Sequence, residues 1–226
     1  HSVENISLLE TEKVREFIGD YKPDEYLLDP NTNISMGPLD MQKTYFKHRI
    51  ELAKAMENAK DIIEEISDEY YNLTGRKYDL FESYKLDDAE IGIIVLNSTA
   101  GTAKVAIDSL RKQGIKAGLL KPRTFRPLPY EKISEELKNL KAIAILDKCD
   151  SINGYSGPLF SEITSLLYSK GISIPTINYI YGLGGTDVTV ENIIQVFNEL
   201  ETIKSTKQNN SNYILPDIKR YLGFDK

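Results

Sequence analysis

A chain of 226 residues with 41% hydrophobic content can bury a sizeable core, as one large domain or as a domain with appended pieces, which excludes disorder of the whole. Its 28 Lys and Arg against 34 Asp and Glu give a net charge of -6 spread along the sequence, so no basic face offers itself to a phosphate backbone, and nucleic acid and anionic membrane are not expected partners. The single cysteine, Cys149, excludes an internal disulfide framework, suits a reducing cytoplasm, and leaves iron-sulfur ligation, which needs several thiolates, to another chain.

No stretch approaches the roughly 18 uninterrupted apolar residues of a membrane span. The opening His1-Ser2-Val3-Glu4-Asn5 has neither a basic n-region nor an apolar h-region, so a cytoplasmic location is expected. Residues 1–37 read as a connector with a short helix from Glu12 to Ile18, broken up by Pro23, Pro30 and, just beyond, Pro38. Residues 38–80 hold a long helix and a linker. Tyr45, Leu52, Met56, Ala59, Ile63, Ile66, Tyr70 and Leu73 recur at steps of seven, three and four, one face of a helix from about Leu39 to Leu73, with Gly75 placed to end it in a left-handed cap. At about 1.5 Å per residue such a helix reaches roughly 50 Å, longer than a small domain is wide, and its stripe is a contact surface. Ile63 and Ile66 are interface candidates on it.

Residues 81–203 read as an α/β core. Four apolar stretches, Ile91 to Leu96, Ala117 to Leu120, Ala142 to Leu146 and Thr176 to Ile180, alternate with amphipathic ones and are continuous, as parallel strands covered on both faces should be. The expected fold is therefore α/β, a mostly parallel sheet with helices on both faces. Gly114 and Gly171 end helices, and Pro129 and Pro158 sit at first helical positions. Residues 204–226 read as a polar tether, Lys204 to Asn212, and a docking tail whose Tyr213, Tyr221 and Phe224 offer an apolar patch.

Ligands of open α/β sheets gather beyond the carboxyl ends of the strands. After the first apolar stretch, Ser98, Thr99, Gly101 and Thr102 put hydroxyls and a glycine at a helix start, either as an anion site or as N-caps. There is no P-loop lysine. Arg123 and Arg126 can grip a carboxylate or phosphate, or pair with an acid across an interface. Gly182, Gly184 and Gly185 suggest a dinucleotide cradle, but Asp187 stands where the third glycine belongs, which favours a tight turn. Asp147 ends the third stretch like a phospho-acceptor, yet Asn97-Ser98 replaces the acidic cluster that Mg²⁺ would need. His1 and His48 lie outside the α/β region, so no Ser-His-Asp arrangement can be built there. No catalytic residue and no metal ligand is expected.

Seven pieces carry a resemblance: Tyr26-Leu27-Leu28-Asp29-Pro30; Thr74-Gly75-Arg76-Lys77-Tyr78 with Glu82-Ser83-Tyr84; Asp87-Asp88-Ala89-Glu90; Gly101-Thr102-Ala103-Lys104; Leu119-Leu120-Lys121 through Phe125-Arg126-Pro127; Gly157-Pro158-Leu159-Phe160; and Gly182-Leu183-Gly184-Gly185. In this order they resemble the alpha subunit of pyruvate:ferredoxin oxidoreductase and related 2-oxoacid:ferredoxin oxidoreductases, in the part that follows the amino-terminal domain. The resemblance implies a second core domain from Glu82 onward, similar to the transketolase carboxyl-terminal domain. It implies that this chain lacks the first domain, which helps to bind thiamine pyrophosphate, and that Asn97 stands where the family often has Gly. It implies a complete enzyme with thiamine pyrophosphate, Mg²⁺, iron-sulfur clusters and coenzyme A as substrate, which reduces ferredoxin. A thiamine-binding Gly-Asp-Gly is absent, since Gly19-Asp20-Tyr21 lacks the second glycine. This chain is expected to supply structure and subunit assembly, to bind no cofactor and to be inactive alone. The alternative is an independent nucleotide- or anion-binding α/β module.

Overall fold

The computed structural model describes residues 5–37, 39–215 and 217–223. The chain divides into two compact units, His1–Glu51 and Leu52–Lys226.

The first unit contains α1 (Thr11–Ile18), which buries none of its residues and ends at Gly19 with φ 74°. Its Asp29-Pro30 turn is closed by the Asp29 carboxylate, which accepts from the Asn31 N–H at 2.9 Å. His48 bonds the Asp40 carboxylate at 2.8 Å, and this hydrogen bond holds the Asp40 carboxyl below its ordinary range.

Helix α2 (Gln42–Thr74) is the long helix of the periodic stripe and ends at Gly75, whose φ is 71° and whose N–H reaches the Tyr71 carbonyl at 2.7 Å. Within the second unit its stripe is only partly covered. Met56, Ala59 and Ile63 are half-buried, while Leu52 is 50% exposed and Ile66 48%. The buried residue of this helix is the polar Ser67, whose hydroxyl donates to Asp79 and accepts the Tyr78 N–H, both at 3.2 Å.

The second unit is built on a six-stranded sheet. Strands β1 (Phe81–Tyr84), β2 (Ile91–Val95), β3 (Ala117–Pro122), β4 (Ala142–Asp147), β5 (Thr176–Tyr181) and β6 (Lys219–Leu222) lie in the order β1-β3-β2-β4-β5-β6. All neighbours pair in parallel except β1 with β3. Helices α3 (Thr99–Lys112), α4 (Tyr130–Leu137), α5 (Pro158–Ser169) and α6 (Val190–Asn209) connect them. Ile91, Ile93 and Val95 point to the face covered by α3 and α6, where Ala103, Ile107, Val196, Phe197 and Leu200 complete one core. Ile94, Ile143 and Ile145 point to the other, where Ile133, Leu137, Leu159 and Ile163 of α4 and α5 complete the second. Covering on both faces explains why the four central strands are continuously apolar.

Two expectations are corrected here. The sheet has six strands, not four: β1 and β6 are edge strands of mixed polarity, reading Phe-Glu-Ser-Tyr and Lys-Arg-Tyr-Leu, without the apolar run of a central strand. And Lys204 to Asn209 is no tether. It continues α6, because a capping box at Thr189 and Asn192 starts the helix, Ile203 is buried, and the Ser205 and Thr206 hydroxyls donate to carbonyls one turn back at 2.8 Å. Polar composition there marks a solvated helix face. Of the tail aromatics, Tyr213 packs against the α3/α6 core and Tyr221 lies in β6, 55% exposed, while Phe224 lies outside the described residues.

Glu90, just before β2, receives Lys141 at 2.7 Å and Lys204 at 3.0 Å, and these ammonium hydrogen bonds push its carboxyl down to about 2. Its folded value lies below its ordinary 4.5, so its stabilisation is present above 4.5 and is lost as pH falls from there towards 2. Glu90→Gln should therefore flatten the acid limb of a melting-temperature profile over that window; an unchanged slope would refute the pairing.

Candidate functional site

The order β3-β2-β4 makes β2 and β4 the strands from which the connections leave in opposite directions, so the crevice beyond their carboxyl ends is where a ligand of such a sheet would lie. The loops after β2, β4 and β5 converge there. Tyr181, at the end of β5, donates its hydroxyl to Thr99 Oγ1 at 3.0 Å, and burial holds that phenol above its ordinary range, so it stays a neutral donor. A Cβ on Gly182 would meet the Lys148 side chain at 3.0 Å, which places the loop after β4 against the turn after β5.

The floor of this region is a buried polar network. Asp147 is 4% exposed, and its carboxylate accepts the backbone N–H of Leu159 at 2.8 Å, that of Phe160 at 3.1 Å and Asn178 Nδ2 at 2.9 Å. Asn178, fully buried in β5, also donates to the Ile145 carbonyl at 2.8 Å, while its Oδ1 accepts the Ser156 hydroxyl at 2.6 Å and the Gly157 N–H at 2.9 Å. Gly157 is required by this packing, since a Cβ there would fall 2.2 Å from the Asp147 carboxyl. Burial raises the Asp147 carboxyl above its ordinary range, partly offset by the donors of α5 and Asn178. A carboxylate so engaged serves as the N-terminal anchor of α5, not as a phospho-acceptor.

Neither Ser98 nor Thr99 caps α3 with its side chain, contrary to the capping reading; Thr99 is turned to Tyr181 instead. Asn97 has φ 58°, the left-handed conformation, so the departure from glycine at this position keeps the backbone form that glycine favours, in the residue type that tolerates it best. Ser98 and Gly101 are exposed and Thr102 half-buried on the first turn of α3. Gly182, Gly184 and Gly185 all have positive φ, at 64°, 63° and 86°, in a tight 3-10 turn. The three glycines answer to backbone geometry.

Two clefts flank this edge. One of about 940 Å³ lies between the glycine turn and β6, lined by Tyr181, Leu183, Lys219, Tyr221 and Leu222. Its basic groups are paired, Lys219 with Asp150 at 3.0 Å and Arg220 with Glu199 at 3.2 Å. The other, about 720 Å³, includes Glu64, Asp79, Glu82, Arg123 and Lys132. Arg123 donates to Glu82 at 2.7 Å and lies over the Tyr78 ring, and Lys104 reaches the same carboxylate. Arg126 pairs with Glu162 and stacks on Phe125. Both arginines thus take acids of their own chain. Among the described residues no group of three or more His, Cys, Asp or Glu is placed to hold a metal ion, and no helix is long and apolar enough to cross a membrane.

Asn178 and Ser156 escaped sequence reasoning. Their signal was present: an asparagine inside the continuous apolar run Thr176-Ile177-Asn178-Tyr179-Ile180 is a buried polar group that must find partners.

The geometry defines a doubly covered, mostly parallel α/β domain whose carboxyl-end loops are closed by their own side chains. Residues 89–193 match the family described as pyruvate:ferredoxin oxidoreductase core domain II. The pyruvate synthase subunit PorA of Methanocaldococcus jannaschii is 39% identical over 89% of this chain and 51% of its own length, and that of Thermotoga maritima 37% over 99% and 54%. The ketoisovalerate oxidoreductase subunit VorA of Pyrococcus abyssi is 36% identical over 90% and 51%. Among solved structures, a 2-oxoglutarate:ferredoxin oxidoreductase from Magnetococcus marinus with coenzyme A bound aligns at a TM-score of 0.41 and 20% identity over 57% of this chain and 21% of that one. A split-gene transketolase aligns at 0.46 and 17%, over 57% and 44%. The chain belongs to the 2-oxoacid:ferredoxin oxidoreductase family, in the group of its alpha subunits. It spans about half the length of the curated relatives it matches.

Two substitutions test the structural reading of this edge. Asp147→Ala leaves two α5 amides and Asn178 Nδ2 without their acceptor and should lower stability by about 2–4 kcal/mol in denaturant unfolding. Gly182→Ala, forced left-handed and against Lys148, should cost roughly 1–2 kcal/mol; a neutral result at either position would contradict the assigned role.

Proposed function

We propose that this chain is the core-domain-II part of the alpha subunit of a pyruvate (2-oxoacid):ferredoxin oxidoreductase, and that its share is structure and subunit assembly. The complete enzyme would oxidatively decarboxylate pyruvate to acetyl-coenzyme A and reduce ferredoxin, with thiamine pyrophosphate and iron-sulfur clusters held elsewhere in the complex. The observation that carries the assembly role is the apolar stripe of α2. In a family of multi-subunit enzymes, Leu52, Ile66 and Leu73 remain 50%, 48% and 37% exposed on one helix, with Ile63 beside them half-buried. Scattered apolar residues need no explanation, but a stripe at helical spacing is a contact surface. The chain's own residues then hold and orient. The Asp147 and Asn178 network fixes α5 on the sheet, and the paired arginines fix the loop after β3.

Because neither Ile63 nor Ile66 is fully buried, Ile63→Asp with Ile66→Asp should leave the melting temperature nearly unchanged. Burying the new carboxylates at an interface should weaken assembly with the partner subunits roughly a hundredfold, about 3 kcal/mol. Co-purification and pyruvate-dependent viologen reduction by the reconstituted complex would both fall, while the chain alone should reduce no viologen. Assembly at wild-type affinity would place the interface elsewhere; viologen reduction by the chain alone would overturn the division of labour.

A further inference from the structure

The loop of residues 148–157 is held at both ends and free in the middle. Near its start Asp150 takes Lys219 at 3.0 Å and the Tyr221 hydroxyl at 2.8 Å. At its end Ser156 and Gly157 are fastened to Asn178. Between them lies Asn153-Gly154, the one Asn-Gly step in the sequence. Both residues are exposed, as are Ile152 at 99% and Tyr155 at 79%. Among the described residues neither the Asn153 carboxamide nor the Gly154 N–H has a hydrogen-bond partner.

From this geometry we infer that Asn153 is a site of spontaneous deamidation, converting to a mixture of aspartate and isoaspartate in the folded chain. The Gly154 backbone nitrogen loses its proton and attacks Asn153 Cγ. The new C–N bond closes a five-membered succinimide, the Cγ–Nδ2 bond breaks, and the amide nitrogen leaves as ammonia with the proton. Water then adds to either ring carbonyl, opening it to aspartate or to isoaspartate. The step needs no oxidant and no co-reactant but water. It is favoured because glycine has no Cβ to obstruct the approach and because no hydrogen bond holds either reacting group away from the other. Asn178 is the internal contrast: its carboxamide nitrogen and oxygen each make two hydrogen bonds and its backbone is fixed in β5. The product adds a negative charge three residues from Asp150, and the isoaspartate form lengthens the backbone between the two anchors.

The test is to age the full chain in mildly alkaline buffer and follow each asparagine by peptide mapping, with isoaspartate distinguished by its fragmentation. Asn153 should convert roughly tenfold faster than any other asparagine, and more slowly in mildly acidic buffer, because the attacking nitrogen must be deprotonated. Asn153→Gln should abolish the conversion and Gly154→Ala should slow it, with circular dichroism confirming that both variants fold. A urea-unfolded sample gives the rate without the fold. Conversion at Asn153 in the unfolded chain but not in the folded one would show that the loop protects it and would overturn the inference, as would faster loss at another asparagine in the native protein.

Discussion

The hydrogen bonds that Asp147 and Asn178 make beneath the carboxyl end of the sheet are the constraint on which the rest of the second unit depends. A carboxylate in an apolar layer is costly unless its oxygens are satisfied, and here they are satisfied by the first free amides of α5 and by an asparagine from the neighbouring strand. One carboxyl group thus joins three elements, β4, β5 and α5, and the requirement that nothing stand between them dictates a glycine at 157. The network lies beneath the carboxyl ends of the strands and ties the start of α5 to β4 and β5, while the loop between Asp150 and Ser156 stays exposed above it.

The periphery is held differently. Around the sheet, acids and bases meet in clusters: Glu82 with Lys104 and Arg123, Glu90 with Lys141 and Lys204, Glu199 with Arg220 and the Tyr179 hydroxyl. Exposed ion pairs contribute little singly. Here each cluster joins segments far apart in sequence, such as β1 to the loop after β3 and the start of β2 to the end of α6, so their effect is to select one arrangement of edges around a core that hydrophobic burial already drives together.

Much of the fold was legible because its signals are large. The four continuous apolar runs became β2 to β5 within a residue or two, the seven-four-three spacing became α2, and Gly75, Gly114 and Gly171 all adopt the left-handed form their positions suggested. What escaped was whatever depends on partners remote in sequence. Strand β6 is four residues of mixed polarity that become a strand only because β5 offers an unpaired edge. Lys204 to Asn209 is polar, and nothing local in its composition tells a solvated helix from a tether; Ile203, buried against the α3/α6 core, decides it. The same applies to the candidate site. Hydroxyls and glycines at strand ends were correctly located, but whether Thr99 caps its helix or meets Tyr181 is settled by a contact across 82 positions.

The placement of β6 also sets an order of events. The outer edge of β5 receives its partner from residues 219–222, and Leu222 closes the same core as β2 and α3. While the chain is being made, β5 therefore waits through the synthesis of the glycine turn and all of α6 with its hydrogen-bonding groups unpaired. An open strand edge on a nascent chain invites pairing with a neighbour on the same message. The interval between Tyr181 and Lys219 is then the stretch of translation during which this domain is most exposed to wrong partners, because α6 packs on a face of the sheet beside α3 and leaves the hydrogen-bonding edge of β5 to β6.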